Sequence, residues 1–169
     1  MRALNALLVL LATIVVILLV ARLPPPSPEM SEAEIAEIRA DVLEVVEARF
    51  EALRDLDMDK VLQSAHPDLL AWTAGGRIMN SAAYRDGMRA WAEGKESWSG
   101  RWVETDVRVL TPDLAVFSGS YVDTIQYSDG RYLHCPRCSA VFLFERTPDG
   151  WKYSMGAGSA VPAEPVEGS

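Results

Sequence analysis

Apolar residues recur every three or four positions between residues 31 and 54, and this spacing predicts one long amphipathic helix. Ser31, followed three residues later by Glu34, forms a capping box, which places the start of the helix. The opposite face is acidic, as expected for a helix surface that faces solvent. The face that packs on a core consists of Ile35, Ile38, Val42, Val45, Val46, Phe50 and Leu53.

Two shorter helices and five strands are predicted after this helix. Asp57 caps a short helix that runs to about Ser64, and Ser81 caps a third helix that runs to about Glu93. A strand over residues 69–72 lies between them. Pro-Asp and Asp-Gly turns then separate four alternating runs, and such short connections require antiparallel neighbours. The predicted meander has strands at Trp98–Leu110, Leu114–Tyr127, Arg131–Arg146 and Trp151–Ser159.

The strand over residues 114–127 carries apolar side chains on both faces. Val116 and Val122 lie on one face, whereas Phe117 and Tyr121 lie on the other. The helices cover one face of the sheet, and a second copy of the chain is the simplest cover for the other. The pattern therefore predicts a homodimer formed through the sheet.

Residues 1–23 form a long apolar stretch. From Ala6 to Ala21 the single polar side chain is Thr13, and the helix from Leu4 to Leu23 would span about 30 Å. The run is longer than a signal-peptide core, and no clean cleavage site follows it. We therefore predict a transmembrane signal-anchor with the domain on the extracytoplasmic side. The alternative is a cleaved signal peptide and a secreted or periplasmic domain.

Proline content and charge limit the folded domain and exclude some partners. Four prolines within residues 24–30 predict a stiff linker, and residues 161–169 predict a disordered tail. The domain itself is therefore predicted to span residues 31–160. The net charge of −8, with no basic cluster, repels phosphate backbones, so we expect no nucleic-acid partner.

Four short stretches, in this order along the chain, resemble the nuclear transport factor 2-like superfamily and its SnoaL-like and ketosteroid isomerase-like domains. They are Leu56–Leu62 with the pattern D-x-D-x-V-L, His66-Pro67-Asp68, Pro112–Gly119 with D-x-A-V-x-x-G, and Asp149–Lys152 with D-G-W-K. The resemblance covers about residues 31–160. It implies three helices packed on a curved antiparallel sheet, in a cone-shaped half-barrel that has an open cavity and is often dimeric. The predicted fold class is therefore α+β, with an N-terminal transmembrane helix before this half-barrel.

In such a fold the cavity lies between the long helix and the sheet. Aromatic side chains with one or two polar groups are typical of a small-molecule pocket, and equally of an ordinary aromatic core. The side chains predicted to line the cavity are Trp72, Tyr84, Trp91, Trp102, Tyr121, Asp123 and Met155.

The acid–base residues of a ketosteroid isomerase are not evident in this sequence. Such an enzyme needs a carboxylate base and acidic donors that face an enolate. The resemblance places the base just after the first short strand, where this chain has Trp72 and Thr73. The remaining acid–base candidates are Asp123, Tyr121, His66 and Asp68. Of these, Asp123 and Tyr121 share a face only if no bulge lies between them.

The segment His134-Cys135-Pro136-Arg137-Cys138 holds the only two cysteines of the chain. Residues three apart on a regular strand are about 10 Å apart, too far for a disulfide, so closure requires a kink at Pro136. A disulfide or inert thiols is the favoured interpretation. A metal site is a second one, although Cys135, Cys138 and His134 supply only part of a ligand set. Thiol redox catalysis is a third, which the strand pattern opposes because such pairs usually begin a helix.

The sequence favours a non-catalytic domain that binds a small apolar ligand or a protein partner at its cavity, with no cofactor. A SnoaL-like enzyme of the cyclase, isomerase or hydratase kind is one alternative. A metal- or thiol-dependent protein that uses Cys135 and Cys138 is the other. A buried ionisable group beside an open cavity favours the enzyme, whereas a purely aromatic cavity favours binding alone.

Overall fold

The computed structural model describes residues 30–72 and 78–160, apart from the side chains of residues 159 and 160. In this part of the chain, three helices and six strands alternate in the order ααββαββββ. They are α1 (Glu32–Arg54), α2 (Met58–Gln63), β1 (Ala65–Trp72), β2 (Ile78–Asn80), α3 (Ser81–Ala92), β3 (Lys95–Thr111), β4 (Leu114–Tyr127), β5 (Tyr132–Thr147) and β6 (Gly150–Ala160).

The six strands form one mixed sheet in the order β2-β1-β6-β5-β4-β3. The four-strand antiparallel meander is confirmed, but the predicted wholly antiparallel sheet is wrong, because β1 pairs with β6 in parallel. Turn sequences specify only neighbours along the chain. They carry no information on which distant strand joins the free edge of β6, and the short edge strand β2 was not predicted at all.

The N-terminal transmembrane helix of the predicted fold class is not supported either. Among residues 30–72 and 78–160, no helix is long and apolar enough to cross a membrane. Residues 1–23, on which that prediction rests, lie outside the described residues, as do residues 161–169 and all of the linker except Met30.

The long helix begins where its cap predicts. The backbone N–H of Ser31 donates to Glu34 Oε2 at 2.7 Å, and the N–H of Glu34 donates to Ser31 Oγ at 3.2 Å, which confirms the capping box. The cap of α3 differs by one residue from the prediction. Asn80 Oδ1, rather than Ser81, accepts the N–H of Ala83 at 3.0 Å.

The apolar face of α1 packs on one face of the sheet. Ile38, Val42, Val46 and Phe50 are buried at intervals of four residues. Ile38, Val42 and Val46 pack with strand residues in one core, whereas Phe50 belongs to an aromatic cluster nearer the C-terminal end of the helix. The strand residues of that core include Val107, Val109, Phe117, Phe144 and Tyr153.

Several large apolar side chains on the strands are exposed. Val103 is 53% exposed, and Leu70 and Met155 are register partners that are about equally exposed. The predicted homodimer through the sheet would cover such side chains, and it stays a prediction.

Candidate functional site

A cavity of about 450 Å³ lies between α1, α3 and the sheet. Helix α1 contributes Arg49, Phe50 and Leu53, because these residues continue its sheet-facing side into its last two turns. The structure places six of the seven predicted lining residues here: Trp72, Tyr84, Trp91, Trp102, Tyr121 and Asp123.

The other predicted site residues lie elsewhere. Met155 is a register partner of Leu143 and is 40% exposed, on the opposite face of the sheet from the buried Tyr153. His66 Nδ1 accepts the backbone N–H of Asp68 at 3.1 Å, in the irregular part of β1 between Ala65 and Leu70. Neither His66 nor Asp68 lines the cavity, so the structure does not combine this pair with Asp123.

A bulge in β5 brings the two cysteines to the face of the sheet that Tyr121 and Asp123 share. The register of β4 with β3 is regular from Tyr121 to Asp123, so their two side chains point the same way. The register of β4 with β5 shifts, because Tyr121 pairs with Cys138 and Asp123 with Cys135. The extra residue therefore lies at Pro136-Arg137 on β5, and it turns both cysteines towards the cavity.

The bulge also brings the cysteines close enough to bond. Cys135 and Cys138 form a disulfide, with Cα atoms 6.0 Å apart. Ligand atoms of Asp123 and both cysteines lie within 4.8 Å of one another, but the bonded sulfurs are not thiolates. His134 is not part of this group. Its Nδ1 lies 3.0 Å from the backbone oxygen of Asp123 and 3.3 Å from Thr124 Oγ1.

Replacing both Cys135 and Cys138 with serine is expected to lower the free energy of unfolding by about 2 kcal/mol, because the bond closes a short loop in the unfolded chain. Urea unfolding with and without reductant measures this. Reductant should lower the stability of the wild type to that of the variant and leave the variant unchanged. A variant as stable as the oxidised wild type would contradict the disulfide.

Trp98 holds the carboxylate of Asp123 by a hydrogen bond, and Gly100 leaves the space that the indole ring needs. Gly100 is the register partner of Asp123, and a Cβ atom at residue 100 would overlap the indole ring of Trp98. Without a side chain there, the indole lies across β3, and its Nε1 donates to Asp123 Oδ2 at 3.0 Å. Burial raises the pKa of Asp123, and the Trp98 hydrogen bond, His134 and the N–H of Cys135 only partly offset this.

This raised pKa predicts a pH dependence of stability. In the folded state Asp123 binds its proton more tightly than at its ordinary pKa of 3.8, so its contribution to stability is complete below that value. The contribution is lost as pH rises through the folded pKa. The stability of the wild type relative to Asp123→Asn should therefore decrease between about pH 4 and pH 7. Urea unfolding at both pH values tests this, and a relative stability that increases with pH would contradict it.

Tyr121 lies beside Asp123 and remains a proton donor at neutral pH. Burial raises the pKa of its hydroxyl, the Asp123 charge adds to the rise, and the Arg49 charge opposes it. The ring of Tyr121 packs edge-on against Phe50 and Trp102, with centroids 5.7 and 5.2 Å apart. These contacts fix the direction of the hydroxyl relative to the carboxylate.

Arg49 is a site residue that the sequence analysis missed. Its Nη2 donates to the hydroxyl of Tyr84 at 2.8 Å, and its guanidinium lies 5.3 Å from the ring of Tyr153 and 5.6 Å from that of Phe142. Burial opposes its charge, but the hydroxyls of Tyr84 and Tyr153 offset this and raise its pKa. The sequence signal was present: position 49 lies seven residues after Val42 and three after Val46, on the apolar face of the helix.

The sequence profile of the SnoaL-like domain matches residues 42–164. The chain belongs to the SnoaL-like domain family. The resemblance to the nuclear transport factor 2-like superfamily is thereby confirmed. Among curated proteins, none matches this SnoaL-like domain by sequence.

Solved structures with the same fold include several named for elimination reactions. Hexachlorocyclohexane dehydrochlorinase LinA-type3 from Novosphingobium barchaimii LL02 has a TM-score of 0.71 and 11% identity, covering 82% of this chain and 97% of that one. A proposed scytalone dehydratase from Novosphingobium aromaticivorans DSM 12444 gives 0.68 and 10%, covering 83% and 99%. A proposed dehydratase from Streptomyces avermitilis gives 0.67 and 18%, covering 75% and 97%. At these identities the likeness shows the fold alone.

The cavity of this SnoaL-like domain has the parts that a proton transfer needs. Asp123 is a half-buried carboxylate whose raised pKa makes it a stronger base than an exposed one, and Tyr121 is a protonated hydroxyl next to it. The apolar rings of Phe50, Trp98 and Trp102 form part of the walls around these two groups.

Proposed function

We propose that this SnoaL-like domain is an enzyme that removes a proton from carbon in a small cyclic substrate, with Asp123 as the general base. The observation that carries this proposal is the position of Asp123. It is a half-buried carboxylate that faces an open aromatic cavity and is hydrogen-bonded by Trp98 at 3.0 Å. A domain that only binds apolar ligands has no need of such a carboxylate, because burying it is unfavourable.

The proposed reaction is an elimination or an isomerisation. Asp123 takes a proton from the carbon next to a carbonyl group, and the electrons of the broken C–H bond form a double bond. In an elimination, hydroxide or halide leaves from the adjacent carbon with its bonding electrons. Tyr121 donates a proton to a leaving hydroxide, which departs as water, and the proton on Asp123 then restores Tyr121. After loss of water, no net proton remains on the enzyme. After loss of halide, Asp123 releases its proton to solvent, and in an isomerisation Asp123 returns the proton to another carbon of the substrate. No redox cofactor is needed.

The names of the structural neighbours support this reaction class. Two are described as dehydratases and one as a dehydrochlorinase, names that denote the elimination of water and of hydrogen chloride. Their low identity leaves the substrate of this chain open. The size of the cavity, about 450 Å³, is suited to a ligand with one or two rings.

Deuterium exchange tests the proposal without the natural substrate. Wild-type protein in D₂O is incubated with a panel of cyclic ketones and with 3-hydroxycyclohexanone, and NMR follows both exchange next to the carbonyl and loss of water. Exchange faster than in buffer, and lost in Asp123→Asn, is the expected result. Exchange at the same rate in wild type and Asp123→Asn would overturn the assignment of the base.

A further inference from the structure

The side chain of Arg49 has a buried hydrogen-bond donor without a partner in the described part of the chain. A guanidinium carries five N–H donors and no acceptor. Its Nη2 donates to Tyr84, whereas Nε is buried and has no hydrogen-bond partner. The group also interacts with the hydroxyl of Tyr153 and lies over the rings of Phe142 and Tyr153, which attract the cation, but none of these contacts gives Nε an acceptor.

The neighbours of Arg49 are themselves donors. The hydroxyl of Tyr153 donates to that of Tyr84 at 3.3 Å, so the Tyr84 hydroxyl accepts from both Arg49 and Tyr153. The indole Nε1 of Trp102, another residue of the cavity lining, is buried and also has no hydrogen-bond partner among the described residues. The cavity lining therefore has a surplus of donors, which an acceptor on a ligand would satisfy.

No carboxylate neutralises Arg49 within residues 30–72 and 78–160. The ion pairs in this part of the chain lie on the surface, between other residues. Asp123 lines the same cavity but forms no ion pair with Arg49. A largely buried cation without an anion is unfavourable, and a ligand anion would remove that penalty.

We propose that the cavity selects substrates in which a carboxylate is attached to a single aromatic or alicyclic ring. The two oxygens of a carboxylate match the planar fork of Arg49, and the Tyr84 hydroxyl adds a third donor. The ring then lies among Phe50, Trp102 and Phe142, and repulsion from Asp123 keeps the carboxylate at the Arg49 end. This inference rests on the proposed function, because it names the substrate class of the same site.

The test compares the binding of benzoate and benzamide, which have nearly the same shape but differ in charge. Calorimetry on the full chain should give benzoate at least about tenfold tighter binding than benzamide. Arg49→Met should remove that preference and leave benzamide binding within about twofold. Arg101→Met, at an exposed position outside the cavity, is the matched control and should bind both as the wild type does. Equal binding of benzoate and benzamide by the wild type would overturn the inference.

Two further measurements keep the test decisive. If Arg49→Met does not fold, the side-chain Nε–H resonance of Arg49 in the wild type should shift on addition of benzoate and not of benzamide. No shift with benzoate would refute the assignment. Asp123→Asn should bind benzoate at least as tightly as the wild type, because the like charge is removed. Selective binding of benzoate without any deuterium exchange would support this inference and refute the proposed reaction. Exchange of neutral ketones together with equal binding of benzoate and benzamide would support the proposed reaction and refute this inference.

Discussion

Replacing Asp123 with asparagine is expected to lower the rate of proton transfer by about 10²- to 10⁴-fold, the usual contribution of a positioned general base. Asparagine keeps the size of the side chain and an oxygen that can accept from Trp98, so the cavity should keep its shape. It cannot take up a proton. The rate of deuterium exchange, measured under saturating and subsaturating substrate, gives both kcat and kcat/KM for the two proteins.

The control for this variant is Asp106→Asn, which removes an exposed carboxylate of β3 outside the cavity. It changes the net charge of the protein by the same amount, so any effect of overall charge appears in both variants. We expect the rate of this control to equal that of the wild type. If Asp123→Asn lost activity only through a higher KM, Asp123 would bind substrate rather than accept its proton.

The pH dependence of the reaction should follow the state of Asp123. A general base acts when it is ionised, so the rate should increase with pH through the pKa of this carboxyl in the free enzyme. Burial raises that pKa, which places the increase at higher pH than for an exposed aspartate. The same burial makes the ionised form unfavourable for stability, so activity and the Asp123 contribution to stability change in opposite directions with pH.

The meander and the caps could be predicted because they depend on local chemistry. The Ser31–Glu34 capping box and the Asp-Gly turns determine their own geometry over three or four residues. The parallel pairing of β1 with β6 depends on residues more than 80 positions apart, such as Ala65 and Tyr153. No turn sequence encodes this parallel pairing, so the local signals predict only an antiparallel sheet.

Six cavity residues could be predicted because the expected fold places their elements around the cavity, and five of the six are aromatic side chains of the kind that line a pocket. Arg49 and Trp98 were missed for different reasons. A single arginine on an apolar helix face is usually a side chain whose charged end reaches solvent. The function of Trp98 depends on Gly100, whose missing side chain lets the indole reach Asp123 on the next strand. Met155 lies outside the cavity, because the bulge at Ser154 between Tyr153 and Met155 changes which face each residue occupies.

Replacing Phe50 with alanine is expected to lower the free energy of unfolding by about 3–5 kcal/mol, the usual range for a buried phenylalanine. Phe50 is 4% exposed and stacks on Trp102 with centroids 4.2 Å apart, and it meets Trp98 edge-on at 5.2 Å. It is therefore a contact through which α1 holds Trp98 and Trp102 in the cavity wall. Urea unfolding, followed by tryptophan fluorescence, measures the loss.

The same variant separates the packing function of Phe50 from the chemistry of Asp123. Without the ring, Trp98 loses its support, and the hydrogen bond that holds Asp123 should weaken, so proton transfer should also become slower. Phe50→Leu fills most of the space and should recover most of the stability. If Phe50→Ala unfolded at nearly the wild-type urea concentration, the aromatic cluster would not couple α1 to the sheet. The position of Asp123 would then depend on the strands and the disulfide alone.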